Sequence, residues 1–155
     1  MLKSIIKKPL ESTLCILISL LSIVTFSQVV ARYVFEAPLS WSEELARFLL
    51  LWLSMLSGAY AFKIKSHFAL QFVVNIAPKK IQKIISIFVA FVVIIFLSGF
   101  VFYSCKYVIG VKGHLAPALQ IPMEIPYSAS IVGGLLMLYY VFKAFIKDLN
   151  YFKKK

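Results

Sequence analysis

Long apolar runs alternate with short polar or proline-containing stretches along this chain. Four of the runs, at about residues 13–34, 41–62, 82–106 and 125–146, carry few charged side chains. A helix needs about 20 mainly apolar residues to cross the hydrocarbon core of a bilayer, and each run reaches that length. The alternation therefore predicts an all-α integral membrane protein whose single transmembrane domain, residues 1–155, contains four membrane-spanning helices.

The stretches between the runs indicate how the helices are joined. The first two runs are separated only by residues 33–40, which include Pro38, so these two helices should form an antiparallel hairpin. Residues 110–124 contain two glycines and two prolines, which is the composition of a loop. Pro126 suits the first turn of the fourth helix, where its missing N–H costs no hydrogen bond.

The charged residues predict the orientation of the chain in the membrane. Three lysines precede the first run, five lysines and no acidic residue lie from Lys63 to Lys83, and the lysines after the fourth run face Asp148 alone. The other two connections balance glutamates against basic residues. Because positively charged connections stay on the cytoplasmic side, we expect both termini in the cytoplasm, with residues 33–40 and 107–124 outside.

A shorter amphipathic segment lies between the second and third runs. In HFALQFVVNIAPKK, apolar residues recur every four positions from Phe68, and His67, Gln71 and Asn75 share another face. This periodicity predicts a helix at about residues 67–77, too short to span a bilayer. We expect it to lie in the cytoplasmic interface of the membrane; a connector packed against the other helices is the alternative.

Composition excludes several other classes of protein. Hydrophobic residues make up 61% of the chain and charged residues 15%, which a soluble domain of this size could not accommodate. The net charge of +11 does not indicate nucleic-acid binding, because no Lys/Arg stripe is interleaved with stacking aromatic residues. The basic N-terminus resembles a signal peptide, but the apolar run after it is too long, so we expect a retained anchor.

Polar residues suited to catalysis or transport are scarce in the predicted spans. The third span has no charge between Lys83 and Lys106, and the fourth has none between Glu124 and Lys143. Both histidines fall outside the spans, and the two cysteines have no metal-ligand spacing. We therefore predict no catalytic, cofactor or metal site, and interpret the chain as a packing partner and not as an enzyme or a transport pathway.

The second predicted helix opens with an unusual concentration of charge, in PLSWSEELARFLLLW at residues 38–52. Ser40 and Glu43 have the spacing of a capping box, and Glu43 with Arg47 forms a favourable i,i+4 pair. Trp41 is expected at the outer interface of the membrane. Helix capping explains part of this cluster, and contact with a partner is the alternative for the rest.

Small residues spaced four apart predict close helix packing. Ser54 and Gly58 form such a pair in the second helix, and Ala129–Gly133 and Ser130–Gly134 repeat the spacing in the fourth. Such pairs let the backbones of membrane helices approach closely. The partner helix could belong to this chain or to another subunit.

Several stretches in fixed order resemble a known family over about residues 10–147. These stretches are Arg32-Tyr33, Leu39–Arg47 (LSWSEELAR), Gly58-Ala59, Pro117–Pro122 (PALQIP) and Ile125–Tyr127 (IPY). Together they resemble the small membrane subunit, the Q or DctQ-type subunit, of a tripartite ATP-independent periplasmic (TRAP) transporter. The Ser-Trp-x-Glu-Glu element is the more specific part, and the proline-containing loop is the weaker part.

The resemblance implies a function that depends on partners. Members of the family work in the bacterial inner membrane with a larger permease subunit, which carries the substrate and sodium sites. A soluble periplasmic protein delivers a carboxylated substrate, such as sialic acid or a C4-dicarboxylate. The small subunit would brace the fixed part of the larger one while its transport domain moves. Since no large-subunit domain follows in this sequence, the larger subunit is expected to be a separate chain.

The resemblance also gives the charged cluster a role. Five residues at the outer end of the first hairpin are then candidates for docking on the larger subunit, with contact to the delivering protein as the further alternative: Arg32, Trp41, Glu43, Glu44 and Arg47. No cofactor is expected in this chain. Two other functions stay open: an autonomous homo-oligomeric four-span exporter, which would need a carboxylate deep in the membrane, and a membrane redox subunit, which would need intramembrane histidines or paired cysteines.

Overall fold

The computed structural model describes residues 9–64 and 79–153. These residues form four helices: α1 (Pro9–Tyr33), α2 (Ser40–Lys63), α3 (Lys79–Gly110) and α4 (Glu124–Lys153). Each contains a stretch long and apolar enough to cross a membrane, which confirms the predicted all-helical fold with four such helices. The predicted interfacial helix at 67–77 lies outside the described residues, and the orientation of the termini stays a prediction.

The helices lie side by side in a single row. Among the described residues, α1 packs against α2, α2 against α4, and α4 against α3, and no other pair of helices is in contact. The order across the row is therefore α1, α2, α4, α3, which differs from the order along the chain. Such a row has two broad faces and no core shared by all four helices.

The two helices in the middle of the row run parallel to each other. The Glu11 carboxylate at the start of α1 lies 3.7 Å from the Lys63 ammonium at the end of α2, as expected for an antiparallel hairpin. Glu44, near the start of α2, is hydrogen-bonded to the loop that precedes α4. The starts of α2 and α4 therefore lie at the same end of the molecule, and the central contact joins two hairpins.

Burial is confined to the contacts along the row. The buried apolar side chains include Phe48 and Leu56 of α2, Leu97 of α3 and Val141 of α4. Helix α1 buries no residue at all, and Phe26 on it is 71% exposed. Large apolar side chains are also exposed along α3. Such surfaces suit contact with lipid or with another membrane helix, so the chain is a multi-pass membrane protein.

Several hydroxyl groups along the helices donate hydrogen bonds within their own helix. Thr13, Ser22 and Ser98 each donate to the carbonyl oxygen four residues earlier, at 3.0, 2.8 and 2.8 Å. Thr25 does the same with Leu21. Because a side chain bonded in this way presents no free donor to a passing solute, these hydroxyls do not mark a polar route across the membrane.

Candidate subunit interface

The hydrogen bonding in the first turn of α2 differs from the predicted capping box. The predicted capping box is wrong, because Ser40 already belongs to the helix, Leu39 is the N-cap, and no side chain caps it. Instead, the hydroxyl of Ser42, which is fully buried, donates to the Leu39 carbonyl oxygen at 2.7 Å. Glu43 is therefore not used for capping, and its carboxylate is available for other contacts.

Glu43 and Arg47 form an ion pair on the outside of α2. Arg47 Nη2 lies 3.2 Å from Glu43 Oε1, and the side chains are 71% and 69% exposed, respectively. An exposed i,i+4 pair contributes little to the stability of its own helix. Both groups are accessible to a partner that offers the opposite charges.

Glu44 points in a different direction and joins two distant parts of the chain. Its Oε2 atom accepts hydrogen bonds from the backbone N–H groups of Ala118 at 2.9 Å and of Leu119 at 2.8 Å. These residues lie in the loop between α3 and α4, and Glu44 itself is half-buried. Hydrogen bonds to a carboxylate are stronger than those between neutral groups, so Glu44 holds this loop against the start of α2.

The loop between α3 and α4, residues 111–123, has its own backbone hydrogen bonds. The Ala116 N–H donates to the Ile121 carbonyl and the Met123 N–H to the His114 carbonyl, at 2.9 and 3.0 Å. The Gln120 N–H donates to the Ala116 carbonyl at 2.9 Å, and Gln120 adopts a left-handed φ of 54°. The sequence indicated only a loop here. Glutamine seldom adopts a left-handed backbone conformation, so its presence at position 120 gave no sign of one.

Arg32 and Trp41 lie at the tip of the first hairpin, apart from the Glu44 hydrogen bonds. Both side chains are exposed, and Arg32 forms no ion pair with any residue in 9–64 or 79–153 whose side chain is described. Tyr33 and Phe35 beside them are 76% and 71% exposed. The structure therefore separates the five predicted residues into one inward-facing group, Glu44, and four outward-facing ones.

The small residues predicted to pack helices lie at two different contacts. A Cβ atom added to Gly133 would lie 2.7 Å from Met55 Cβ of α2, whereas one on Gly134 would lie 2.7 Å from Val101 Cγ2 of α3. The two adjacent glycines, which point about 100° apart around the helix axis, thus let α4 approach a different neighbour on each of two sides. The fully buried Ala129 also lies on α4.

The predicted pair on α2 is divided between its contact side and its exposed side. A Cβ on Gly58 would lie 2.5 Å from the terminal methyl carbon of Met137 on α4. Ser54 is exposed, and its hydroxyl donates to the Leu50 carbonyl at 2.7 Å. Only Gly58 of this pair therefore meets another helix in the described residues.

One face of the row carries an open, mostly apolar groove of about 770 Å³. Its walls come from the three helices other than α1, with Leu51 and Met55 on one side and Phe100 and Tyr103 on the other. The rings of Tyr107 and Tyr127 meet edge to face at 5.1 Å within the groove. Among the described residues no group of His, Cys, Asp or Glu could hold a metal ion.

Comparison with known proteins links this architecture to one family. Residues 21–150 match the family model "Tripartite ATP-independent periplasmic transporters, DctQ component". The chain is 30% identical, over 85% of its length and 82% of the relative's, to a Haemophilus influenzae Rd protein named as a candidate TRAP transporter small permease.

Two further relatives match shorter parts. The sialic acid TRAP transporter permease protein SiaT of Haemophilus influenzae 86-028NP is 32% identical over 54% of this chain and 14% of its own length. The C4-dicarboxylate TRAP transporter small permease protein DctQ of Vibrio cholerae is 27% identical over 41% of this chain and 28% of its own.

Proposed function

Since this chain belongs to the DctQ family of TRAP transporter components, we propose that it is the non-catalytic subunit that braces a larger permease subunit in the bacterial inner membrane. The larger subunit would carry the substrate and sodium sites and perform the sodium-coupled uptake. A periplasmic binding protein would deliver the substrate to the assembled pair. This chain would then contribute rigidity and contact area, and it would bind neither substrate nor sodium.

The observation that carries this proposal is the single row of helices. In residues 9–64 and 79–153, this row has two broad apolar faces that offer a large surface to another membrane protein, and it encloses no passage of its own. The hydroxyl groups of Ser22 on α1 and Ser98 on α3 donate to backbone carbonyls of their own helices, so they offer no free donor to a solute. The middle stretches of the described helices carry no Asp, Glu, Lys, Arg or His, so they offer no charged group to a substrate, which suits a supporting role.

The relatives favour a carboxylated substrate for the whole transporter. One is named for sialic acid and another for C4-dicarboxylates, and both kinds of molecule carry a carboxylate. We propose the same chemical class here. The substrate would be selected by the larger subunit and the binding protein, since the middle stretches of the described helices (12–31, 48–62, 84–105 and 125–142) carry no charged side chain.

The exposed charges at the outer end of α2 are the proposed docking residues. The Glu43–Arg47 pair is exposed, and on docking its two side chains would form ion pairs with groups of opposite charge on the larger subunit. Arg32 and Trp41 extend this surface along the tip of the first hairpin. Glu44 is not a docking residue in this scheme, because backbone amides already occupy its carboxylate.

Replacing the pair tests the docking role. Glu43→Ala combined with Arg47→Ala should reduce both co-purification of the larger subunit and substrate uptake, because the interface loses two complementary charges. Lys143→Ala combined with Lys147→Ala, also exposed and four residues apart, serves as the matched control. Wild-type values for both measurements in the Glu43/Arg47 variant would contradict the docking role.

Expression without partners tests the bracing role itself. Vesicles containing only this chain should neither take up nor export substrate. Movement of substrate in such vesicles would contradict the proposal and would favour an autonomous exporter.

A further inference from the structure

We propose that the groove between α2 and α3 binds one phospholipid with a net negative headgroup. Lys106 would hold the phosphate of this lipid, and an acyl chain would lie along the apolar walls of the groove. The ligand would come from the surrounding bilayer and is not the cargo of a transporter, so this inference stands independently of the proposed function.

The shape of the groove follows from the order of the helices in the row. Helices α2 and α3 flank α4 and do not touch each other in residues 9–64 and 79–153, so a cleft lies over α4 between them. Its volume is about 770 Å³. A membrane-spanning helix, about 10 Å across and about 30 Å long, occupies more than roughly 2,000 Å³. The groove is therefore too small to enclose such a helix, whereas a thin and flexible acyl chain can enter it.

The position of Lys106 along α3 matches the depth of a lipid headgroup. Lysines occupy the start of α3 as far as Lys83, and the apolar stretch begins at Ile84. A hydrocarbon core that about 20 residues cross then ends at roughly residue 104, so Lys106 lies directly beyond it. Phe100 of the groove wall lies about 9 Å further in, at about 1.5 Å per residue, among the acyl chains.

The charge of Lys106 has no partner within the described part of the protein. Lys106 alone is charged among the described residues that line the groove. Its side chain is exposed, and it forms no ion pair with any residue described in 9–64 or 79–153. A lysine at the edge of the membrane attracts the phosphate of an anionic lipid, and its flexible stem lets the ammonium group reach that phosphate.

The acidic residues at this end of the molecule do not neutralise Lys106. Glu43 is paired with Arg47, and Glu44 accepts two backbone N–H groups of the loop before α4. Glu124 Oε1 accepts the N–H of Gly113 at 3.3 Å. Glu36 lies in the connection between α1 and α2, and α1 occupies the opposite edge of the row from α3. A ligand in the groove therefore meets a positive charge that is not already paired.

The side chains around Lys106 suit the region between headgroup and acyl chains. Tyr107 and Tyr127 line the groove, and their rings meet edge to face at 5.1 Å. Tyrosine combines an apolar ring with a hydroxyl group, which fits a boundary between water and hydrocarbon. The hydroxyl of Ser130 on α4 already donates to the Tyr127 carbonyl at 2.7 Å. The groove thus changes from polar at Lys106 to apolar at Leu51 and Met55, as a phospholipid does along its length.

Lipid binding to the purified full-length chain in a neutral detergent tests the role of Lys106. Native mass spectrometry would compare phosphatidylglycerol with phosphatidylcholine of the same acyl chains. The wild-type chain should bind one phosphatidylglycerol about tenfold more tightly, because the choline group competes with Lys106 for its own phosphate. Lys106→Gln should remove this preference. Lys112→Gln, which changes an exposed lysine beyond the end of α3 and outside the groove, is the matched control and should retain it.

Filling the groove tests the place of the acyl chain. Ser130→Phe adds a ring to the groove and should weaken binding of both lipids, while Val132→Phe, on α4 but outside the groove, should leave both unchanged. Circular dichroism checks that each variant keeps its helices. Because Lys106 is exposed, the Lys106→Gln comparison does not depend on how well Ser130→Phe folds.

Three results would overturn the inference. They are equal affinity of the wild-type chain for the two lipids, a preference that survives Lys106→Gln, and a preference that Lys112→Gln also removes. The complex with the larger subunit provides a further test, in which one phosphatidylglycerol should remain bound. Displacement of this lipid when the complex forms would assign the groove to the larger subunit and contradict the lipid site.

Discussion

Glu43 and Glu44 are adjacent and chemically identical, yet they have different partners. Successive side chains on a helix point about 100° apart, so one carboxylate faces outward to Arg47 while the other faces the loop before α4. Sequence reasoning placed both in one docking group, because the loop that Glu44 binds lies more than 70 positions further along the chain. Contacts over such separations are not visible in local periodicity.

Two glycines at helix contacts should respond differently to alanine, according to what the added Cβ atom would meet. Gly133→Ala should lower the free energy of unfolding by about 1–3 kcal/mol, because its Cβ would overlap Met55 Cβ and the Met55 carbonyl. Gly58→Ala should cost less, since the end of the flexible Met137 side chain can move. Unfolding in mixed detergent micelles measures the difference.

Gly99 on α3 provides the matched control for these substitutions. An added Cβ there would meet nothing within 4 Å, and alanine is the better helix former by about 1 kcal/mol. Gly99→Ala should therefore be neutral or stabilising. Equal losses of stability at Gly133 and Gly99 would contradict the packing described for α4.

The four helices themselves could be predicted because their signal is local. A run of apolar residues long enough to cross a bilayer forms a helix there, since no water is present to satisfy the backbone groups. Their ends were less certain. The capping-box interpretation failed at Ser40 because serine at this spacing fits both the N-cap and the first helical position, and Ser42 bonded Leu39 instead.

The two hairpins should recognise each other as separate fragments. Fragments 1–72 and 73–155, produced together, should co-purify through the contact between α2 and α4. Gly133→Leu should separate them, because the new side chain would enter the space of Met55. Gly134→Leu, which faces α3 within the same fragment, should leave the fragments associated. Separation by both substitutions would show that α4 is disturbed as a whole.

The order of the helices across the row is a property of the whole molecule that the sequence did not reveal. Hydropathy indicates which segments enter the membrane but not which of them touch, because every apolar face is acceptable to lipid. The small-residue pairs on the second and fourth helices were a partial signal, since they predicted close packing without identifying the helix packed against them. In the structure, Gly133 meets Met55 and Gly58 meets Met137, and both contacts join those two helices.

Orientation is also a property of the whole molecule, and labelling can test it. In a background with Cys15→Ser and Cys105→Ser, a Lys112→Cys substitution should react with a membrane-impermeant maleimide in intact cells. Lys155→Cys should react only after the membrane is opened, because lysine-rich segments remain in the cytoplasm. The reverse result would invert the topology and place the 111–123 loop inside.

The parallel contact between α2 and α4 has a consequence for biosynthesis. Helices enter the membrane in chain order, so α2 is inserted well before α4, its later neighbour in the row, has been synthesised. Among the described residues α3 touches neither α1 nor α2, and it therefore cannot hold the first hairpin in place during this interval. A ribosome that stalls before α4 leaves Glu44 without its two amides and the two groups of helices unattached.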